Sequence, residues 1–276
     1  MISDEQLHAM AQTLMTVPGV RAIALGGSRA RGTHHDGSDV DLGLYYDREA
    51  LDVAGLRDAT SRFSTAGTVD VAGPGSWGTW VDGGAWLSVE GTAVDWILRD
   101  VRRVRGQCER AQRGEFAFHP QPGHPLGFLD VSYAGEVATC VPLADPSGIL
   151  SALRGLVAPY PAALRTAMVG NLWQAGFHAV AAVKGIAKRD SAYVMLCCTS
   201  ALMLCAHAWH AAAGRWSTNE KGLVVDVAAL DIPTHDFARR ATEALTCPSS
   251  SRGDLAAVAE RTRSLVDLTR RTLDPQ

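Results

Sequence analysis

One stretch restricts the fold of this chain more than any other. A short, largely apolar run from Val20 to Leu25 passes directly into Gly26-Gly27-Ser28, and ten residues later the chain reads Asp39-Val40-Asp41-Leu42. A short apolar run closed by glycine reads as a buried strand. Glycine then turns the chain sharply, and a short helix is expected to begin near Arg29. Asp39 to Tyr46 alternates polar with apolar at its start, which predicts a second strand. Residues two apart on a strand share a face, so Asp39 and Asp41 point one way while Val40 and Leu42 point toward the core.

That arrangement has a chemical consequence. Two carboxylates on one face repel each other unless a cation lies between them. The exposed N–H groups of a helix start attract an anion, phosphate above all. Gly27 lets a phosphate approach the backbone, and Ser28 adds a hydroxyl donor. Next to phosphates the natural cation is Mg²⁺, which takes oxygen ligands and bridges carboxylates to substrate. Two such ions can stabilise the attacking and leaving oxygens of an in-line displacement. The plain alternative is a hairpin with two solvent-facing aspartates and a tight turn. The combination of apolar strand, Gly-Gly-Ser and Ser38-Asp39-Val40-Asp41-Leu42 favours the site.

The rest of the chain divides by composition. An amphipathic helix is expected over residues 4–16, with Leu7, Met10, Leu14 and Met15 on one side, stopped by Pro18-Gly19. Residues 48–63 read as a helix and 73–84 as turns rich in Gly and Trp. Trp86 to Val89 and Thr92 to Leu98 read as a hairpin around Glu90-Gly91, and 99–113 as a charged, arginine-rich helix. His119-Pro120 through Gly127-Phe128 reads as a Pro/Gly loop. After Pro146 alanine and leucine rise, and helices are expected over 147–156, 160–188, 191–213, 234–246 and 252–272. The expected fold is an α/β (α+β) domain with a mixed sheet over 1–146, followed by an all-α helical-bundle domain over 147–276.

The segment Gly27-Ser28 through Ser38-Asp39-Val40-Asp41-Leu42 resembles the signature of the polymerase-β-like nucleotidyltransferases. With Arg29, Arg31, Gly32 and Thr33 between, it is most similar to the small bacterial branch that holds the aminoglycoside nucleotidyltransferases. The resemblance implies an enzyme that moves a nucleoside monophosphate from an NTP, with ATP the expected donor, to an acceptor hydroxyl, releasing pyrophosphate. It implies that Gly27, Ser28, Arg31 and Ser38 hold the triphosphate and that Asp39 and Asp41 hold Mg²⁺, two ions in all. It also calls for a third carboxylate on a neighbouring strand. Asp95, in the apolar run Ala93 to Leu98, is the candidate, as metal ligand, general base, or both; its plain reading is an ion pair with Arg99 or Arg102. Glu90 competes, and Asp70 and Asp82 are weaker. Glu136 matches a glutamate that some relatives use as an acceptor-side base. The helical domain of such relatives supplies a lysine to the triphosphate, here Lys221 or Lys184, and acidic contacts to the acceptor, here Asp190. His124, with His119 behind it, is a loop histidine that could orient an acceptor.

Composition narrows the partners. The net charge is -3, from 26 basic and 29 acidic residues. A protein that grips long nucleic acid shows a basic surplus. A small or local acceptor is therefore favoured over DNA or RNA, and the resemblance implies that it is antibiotic-like, possessing an aminoglycoside-like structure. Toxin-like transfer to a protein or tRNA is the alternative, and a non-catalytic nucleotide-binding module the third reading. Only Arg99, Arg102, Arg103, Arg105, Arg110 and Arg113 offer a basic patch for tRNA. The six cysteines form no zinc-like spacing and read as buried thiols of a reducing cytoplasm. MISDEQLHAM has no basic region followed by an apolar stretch, so no secretion signal is expected there. Ala192 to Ala213 is uncharged and long enough to span a bilayer, but a buried helix of the bundle is the expected reading. Trp173, His178 and Trp209 are expected in the core.

Overall fold

The computed structural model describes residues 2–273. They form two compact units: the first comprises residues 2–111, 117–123 and 127–158, the second residues 112–116, 124–126 and 159–273.

The first unit is a mixed five-stranded sheet with helices. Its elements are α1 (Asp4–Leu14), β1 (Val20–Leu25), α2 (Gly27–Ala30), β2 (Val40–Tyr46), α3 (Val53–Thr60), β3 (Gly84–Val89), β4 (Thr92–Asp100), α4 (Val101–Gln112), β5 (Phe118–Gln121), β6 (His124–Leu129), α5 (Ser132–Thr139), β7 (Val141–Ala144) and α6 (Ile149–Val157). The strand order is β3-β4-β2-β1-β7. β2 and β4 run parallel, and every other neighbouring pair is antiparallel.

One face of this sheet is sealed. Val40, Leu42, Leu44 and Tyr46 of β2, with Val94, Trp96 and Leu98 of β4, are buried under Leu7, Met10 and Leu14 of α1 and Leu56 of α3. Each such side chain contributes about 1.5–3 kcal/mol by leaving water. Trp96 spends its indole N–H on Met10 Sδ at 3.3 Å. α1 begins where Ser3 and Gln6 cap each other reciprocally.

Three local expectations change. The helix expected over 48–63 shrinks to α3. Asp47 turns the chain by accepting from the Glu49 N–H at 3.2 Å, and Asp52 caps α3 by accepting from Gly55 N–H at 2.9 Å. The loop expected over 119–128 is the hairpin β5–β6. Pro122-Gly123 is its turn, and Gly123 supplies the positive φ of 87° that such a turn requires. Residues 132–144 hold α5 and the edge strand β7. The first unit continues through Ala158, because α6 packs on α5, past the composition change at 146.

The second unit is helical: α7 (Ala162–Gly170), α8 (Leu172–Ile186), α9 (Ser191–Ala212), α10 (Phe237–Ala244), α11 (Arg252–Leu273) and a 3₁₀ turn over Val225–Ala229. The helix expected over 160–188 is two, broken at Gly170-Asn171, where residues with low helix propensity meet. α8, α9 and α11 pack mutually, with α7 on α9 and α10 on α11. α9 is 22 residues long and apolar enough to cross a membrane, yet its residues from Leu204 to Ala211 are all buried, as in a core helix. Trp209 is buried, its indole donating to Thr269 at 3.2 Å. Trp173 is not: it is 60% exposed, because α8 turns its small residues Ala175, Ala179 and Ala182 inward. Five of the six cysteines are buried and all are free thiols.

Candidate active site

β2 decides where the chemistry can be. Its inward residues are locked in the core, so alternation turns Asp41, Gly43 and Tyr45 to the opposite face. The parallel register sets Asp41 beside Asp95 of β4, and the antiparallel register of β3 sets Trp86 beside Asp95. Strands lie about 4.8 Å apart, so three adjacent strands carry Asp41, Asp95 and Trp86 in one row on one face.

The glycine turn is fitted to this row. Gly26 N–H donates to the Asp41 carbonyl at 2.8 Å. Gly27 has φ 62°, and a Cβ there would lie 1.8 Å from Asp41 Oδ2. Only glycine fits, both for its backbone and for the carboxylate pressed against it. α2 is a single turn and carries little axial dipole, so anion binding there would rest on its first N–H groups and the Ser28 hydroxyl. Thr33 N–H donates to Ser28 O at 3.0 Å and closes the turn.

Arg29 matters more than its place in the motif suggested. Its Nε donates to the Asp39 carbonyl at 3.1 Å and its Nη2 to the Ser38 carbonyl at 2.8 Å. These bonds tie the loop down where Asp39 enters β2. The spacing of ten residues in sequence between Arg29 and Asp39 was the available signal. Ser38 is employed locally, its hydroxyl accepting from His35 N–H at 3.0 Å. Arg31 is exposed on the surface, and its charge acts on Asp41.

The carboxylates feel one another. Burial raises the Asp41 pKa, and the charges of Asp39 and Glu136 raise it further, against Arg31 and Arg99. A cation would relieve that repulsion. The donor set is all oxygen, which suits Mg²⁺ over a softer metal. Among the described residues no three His, Cys, Asp or Glu side chains are gathered tightly enough to hold an ion alone. An ion bound by Asp39, Asp41 and Asp95 would therefore complete its shell with substrate oxygens and water, as Mg²⁺ commonly does.

Glu136, on α5, lies within electrostatic reach of Asp41, and both its oxygens are committed. Arg99 donates to them from Nε at 2.6 Å and Nη2 at 2.7 Å. Burial alone would lower the Arg99 pKa, but the Glu136 charge and hydrogen bonds more than offset it and hold it above its ordinary value. Glu136 is placed to position Arg99 and to shape the field at Asp41. In that pairing Arg99 bonds Glu136, and Arg102 bonds Glu49 at 2.9 Å.

The competing acids lie elsewhere. Glu90 is exposed on the β3–β4 turn with φ 51°. Asp70 is exposed beside Arg57. Asp82 is buried and accepts from Tyr46 at 2.5 Å, Arg48 at 3.3 Å and Gly75 N–H at 2.9 Å, a structural knot. His119 stacks on Trp80 and bonds Asp130. The first three residues of β6, 124–126, count with the second unit, as do the remaining candidates. His124 pairs with Glu220 at 2.9 Å. Asp190 caps α9, accepting from Tyr193 N–H at 3.1 Å. Lys184 is exposed in the last turn of α8, and Lys221 is exposed after α9.

Five of the six arginines of the expected basic patch face carboxylates. Arg99, Arg102, Arg103, Arg110 and Arg113 face Glu136, Glu49, Asp82, Asp130 and Glu115 respectively.

Residues 11–66 match the family model of the nucleotidyltransferase domain. That span takes in Gly27, Ser28, Asp39 and Asp41 and ends before Asp95. No curated protein is similar enough in sequence to match. Among solved structures, a nucleotidyltransferase-like protein from Exiguobacterium sibiricum aligns over 98% of this chain and 77% of its own, at 11% identity and a TM-score of 0.46.

Proposed function

We propose that the protein is a Mg²⁺-dependent nucleotidyltransferase that moves AMP from ATP to a hydroxyl of a small, aminoglycoside-like acceptor. The match over residues 11–66 supports nucleotidyl transfer as the chemistry. The observation that carries the reading is the shared register of Asp41 and Asp95, on the face where Gly27 closes against Asp41.

In this reading Gly27 and Ser28 hold the triphosphate, with Arg31 and Ser38 at the loop. Asp39, Asp41 and Asp95 hold the metal, which would neutralise phosphate charge and steady the entering and leaving oxygens. Asp95 takes the proton of the acceptor hydroxyl as its oxygen attacks the α-phosphorus. The new O–P bond forms, the bond to the β-phosphate bridge oxygen breaks, and pyrophosphate leaves. Lys184 and Lys221 are proposed triphosphate contacts, and His124 and Asp190 acceptor contacts. Five paired arginines and a net negative charge favour a small acceptor over tRNA.

The test is pyrophosphate release with Mg²⁺ and each NTP against aminoglycosides, lincosamides and bulk tRNA, with mass spectrometry of products. A small molecule heavier by one AMP supports the reading. Asp95→Asn should slow transfer at least ~100-fold if it is the base. Full activity in both Asp39→Asn and Asp41→Asn would refute the site.

A further inference from the structure

The row that carries Asp41 and Asp95 does not end at the carboxylates. The next strand, β3, is the edge of the sheet, and its residue in register is Trp86. Trp86 is 64% exposed, a large apolar surface to leave in water beside two acids. It is not loose. The Trp77 ring stacks on it with centroids 4.3 Å apart and planes at 15°. Trp77 is itself clamped: its N–H donates to the Asp82 carbonyl at 3.0 Å, and its carbonyl accepts from buried Gln121 at 2.7 Å.

The stack also has a direction. Trp77 lies over Gly84, where an added Cβ would come within 3.0 Å of its ring. Gly84 and Trp86 share a face, so Trp77 covers the side of Trp86 toward the start of β3. The opposite ring face looks along the strand toward Ser88 and its partner Ala93, both small and exposed. That is the end of the sheet where β1 finishes and β2 and β4 begin, and so the end that holds Gly27, Ser28 and Asp39.

Strand order then assigns an occupant. In-line displacement puts the attacking oxygen and the leaving pyrophosphate on opposite sides of the phosphorus. Gly27 and Ser28 follow β1, on one side of β2. Trp86 lies on the other side, beyond Asp95. If the triphosphate sits at the glycine turn, the acceptor approaches over β4 and β3. An indole face binds the apolar face of a ring and attracts cations, and the carboxylates beside it repel anions.

We propose that the Trp86–Trp77 stack is the acceptor platform, selecting a ring-bearing, cationic molecule such as an aminocyclitol or amino sugar and setting its hydroxyl over Asp95. This rests on the nucleotidyl-transfer reading and goes beyond it.

The test is calorimetric titration of the full chain, with Mg²⁺ and a non-hydrolysable ATP analogue, by kanamycin, spectinomycin and lincomycin. Trp86→Ala should weaken the ligand that binds by about ten- to thirty-fold, and Trp86→Phe by much less. Trp77→Ala should weaken it as well, and the ATP analogue should bind all variants like wild type. Unchanged acceptor affinity in Trp86→Ala overturns the proposal. So does a loss that appears in the ATP analogue, which would make Trp86 a nucleobase platform. Failure of all three compounds to bind wild type overturns the acceptor class and the platform together. Transfer that persists in both Asp39→Asn and Asp41→Asn instead overturns the function reading.

Discussion

Glu136→Gln tests the ion pair behind the site. The Arg99 side chain is 8% exposed and that of Glu136 27%. Arg99 also stands 5.1 Å over the Tyr133 ring and donates to Leu98 O at 3.1 Å, so it cannot swing out to water. Glutamine keeps one acceptor oxygen but turns an amide toward the guanidinium and removes the counter-charge. Breaking a buried pair costs about 3–5 kcal/mol. The outer end of this pair touches water, so the lower end applies, about 3 kcal/mol. Arg99→Met should cost less, about 1–2 kcal/mol, because the abandoned Glu136 can hydrate. Arg99→Met with Glu136→Leu should recover most of the loss, since replacing both partners by apolar groups is often near neutral. Urea unfolding of wild type, Arg99→Met, Glu136→Leu and the double variant closes the cycle, with Glu136→Gln measured beside them. The reasoning fails if Glu136→Gln lies within 0.5 kcal/mol of wild type, or if the double variant is simply additive; neighbours normally couple by about 0.5–3 kcal/mol.

Other outcomes follow from the same geometry. Asp41→Asn should raise the melting temperature of the metal-free protein, because it removes a buried charge that Asp39 and Glu136 oppose, while Mg²⁺ should stabilise wild type and not the variant; a lower melting temperature would contradict this. Gly27→Ala should abolish transfer, since its Cβ would displace the Asp41 carboxylate; wild-type rates would refute the close fit. His207 is held neutral by burial, its pKa pushed down to about 3, with His210 adding to the effect. Unfolded histidine takes a proton near pH ~6.5, so between the two values the unfolded state binds the extra proton and stability falls as the pH drops. By pH 5 this amounts to about 2 kcal/mol. His207→Gln should flatten the stability–pH curve over pH 7 to 5 by that amount, and parallel curves would exclude it.

Much of this architecture was readable from local pattern. The strands β1 and β2, the turn between them and the β3–β4 hairpin are each set by residues within a few positions of one another. Asp41 faces away from the core because Val40 and Leu42 face into it, and strand alternation alone says so. What stayed hidden depends on partners far apart in sequence. Arg99 entered the sequence reading only as an alternative partner for Asp95, four residues away, and its bond to Glu136, 37 residues on, left no local trace. Pro122-Gly123 was taken for loop because turn residues look alike whether or not strands flank them. Trp173 was placed in the core because α8 is apolar all round, and only packing shows that the alanines take the inside. Trp86 was read only as the start of a strand, since its exposure and its stack on Trp77 are tertiary facts.

The parallel pairing of β2 with β4 ties two kinds of error together. Side chains alternate, so a slip of one residue would carry Asp95 into the core and push Trp96 into solvent. Such a molecule would lose the carboxylate proposed for catalysis and its hydrophobic seal at once. Misregistered chains should therefore be both inert and short-lived, leaving no long-lived pool of folded but inactive protein. In a purified sample, specific activity would then report the folded fraction directly.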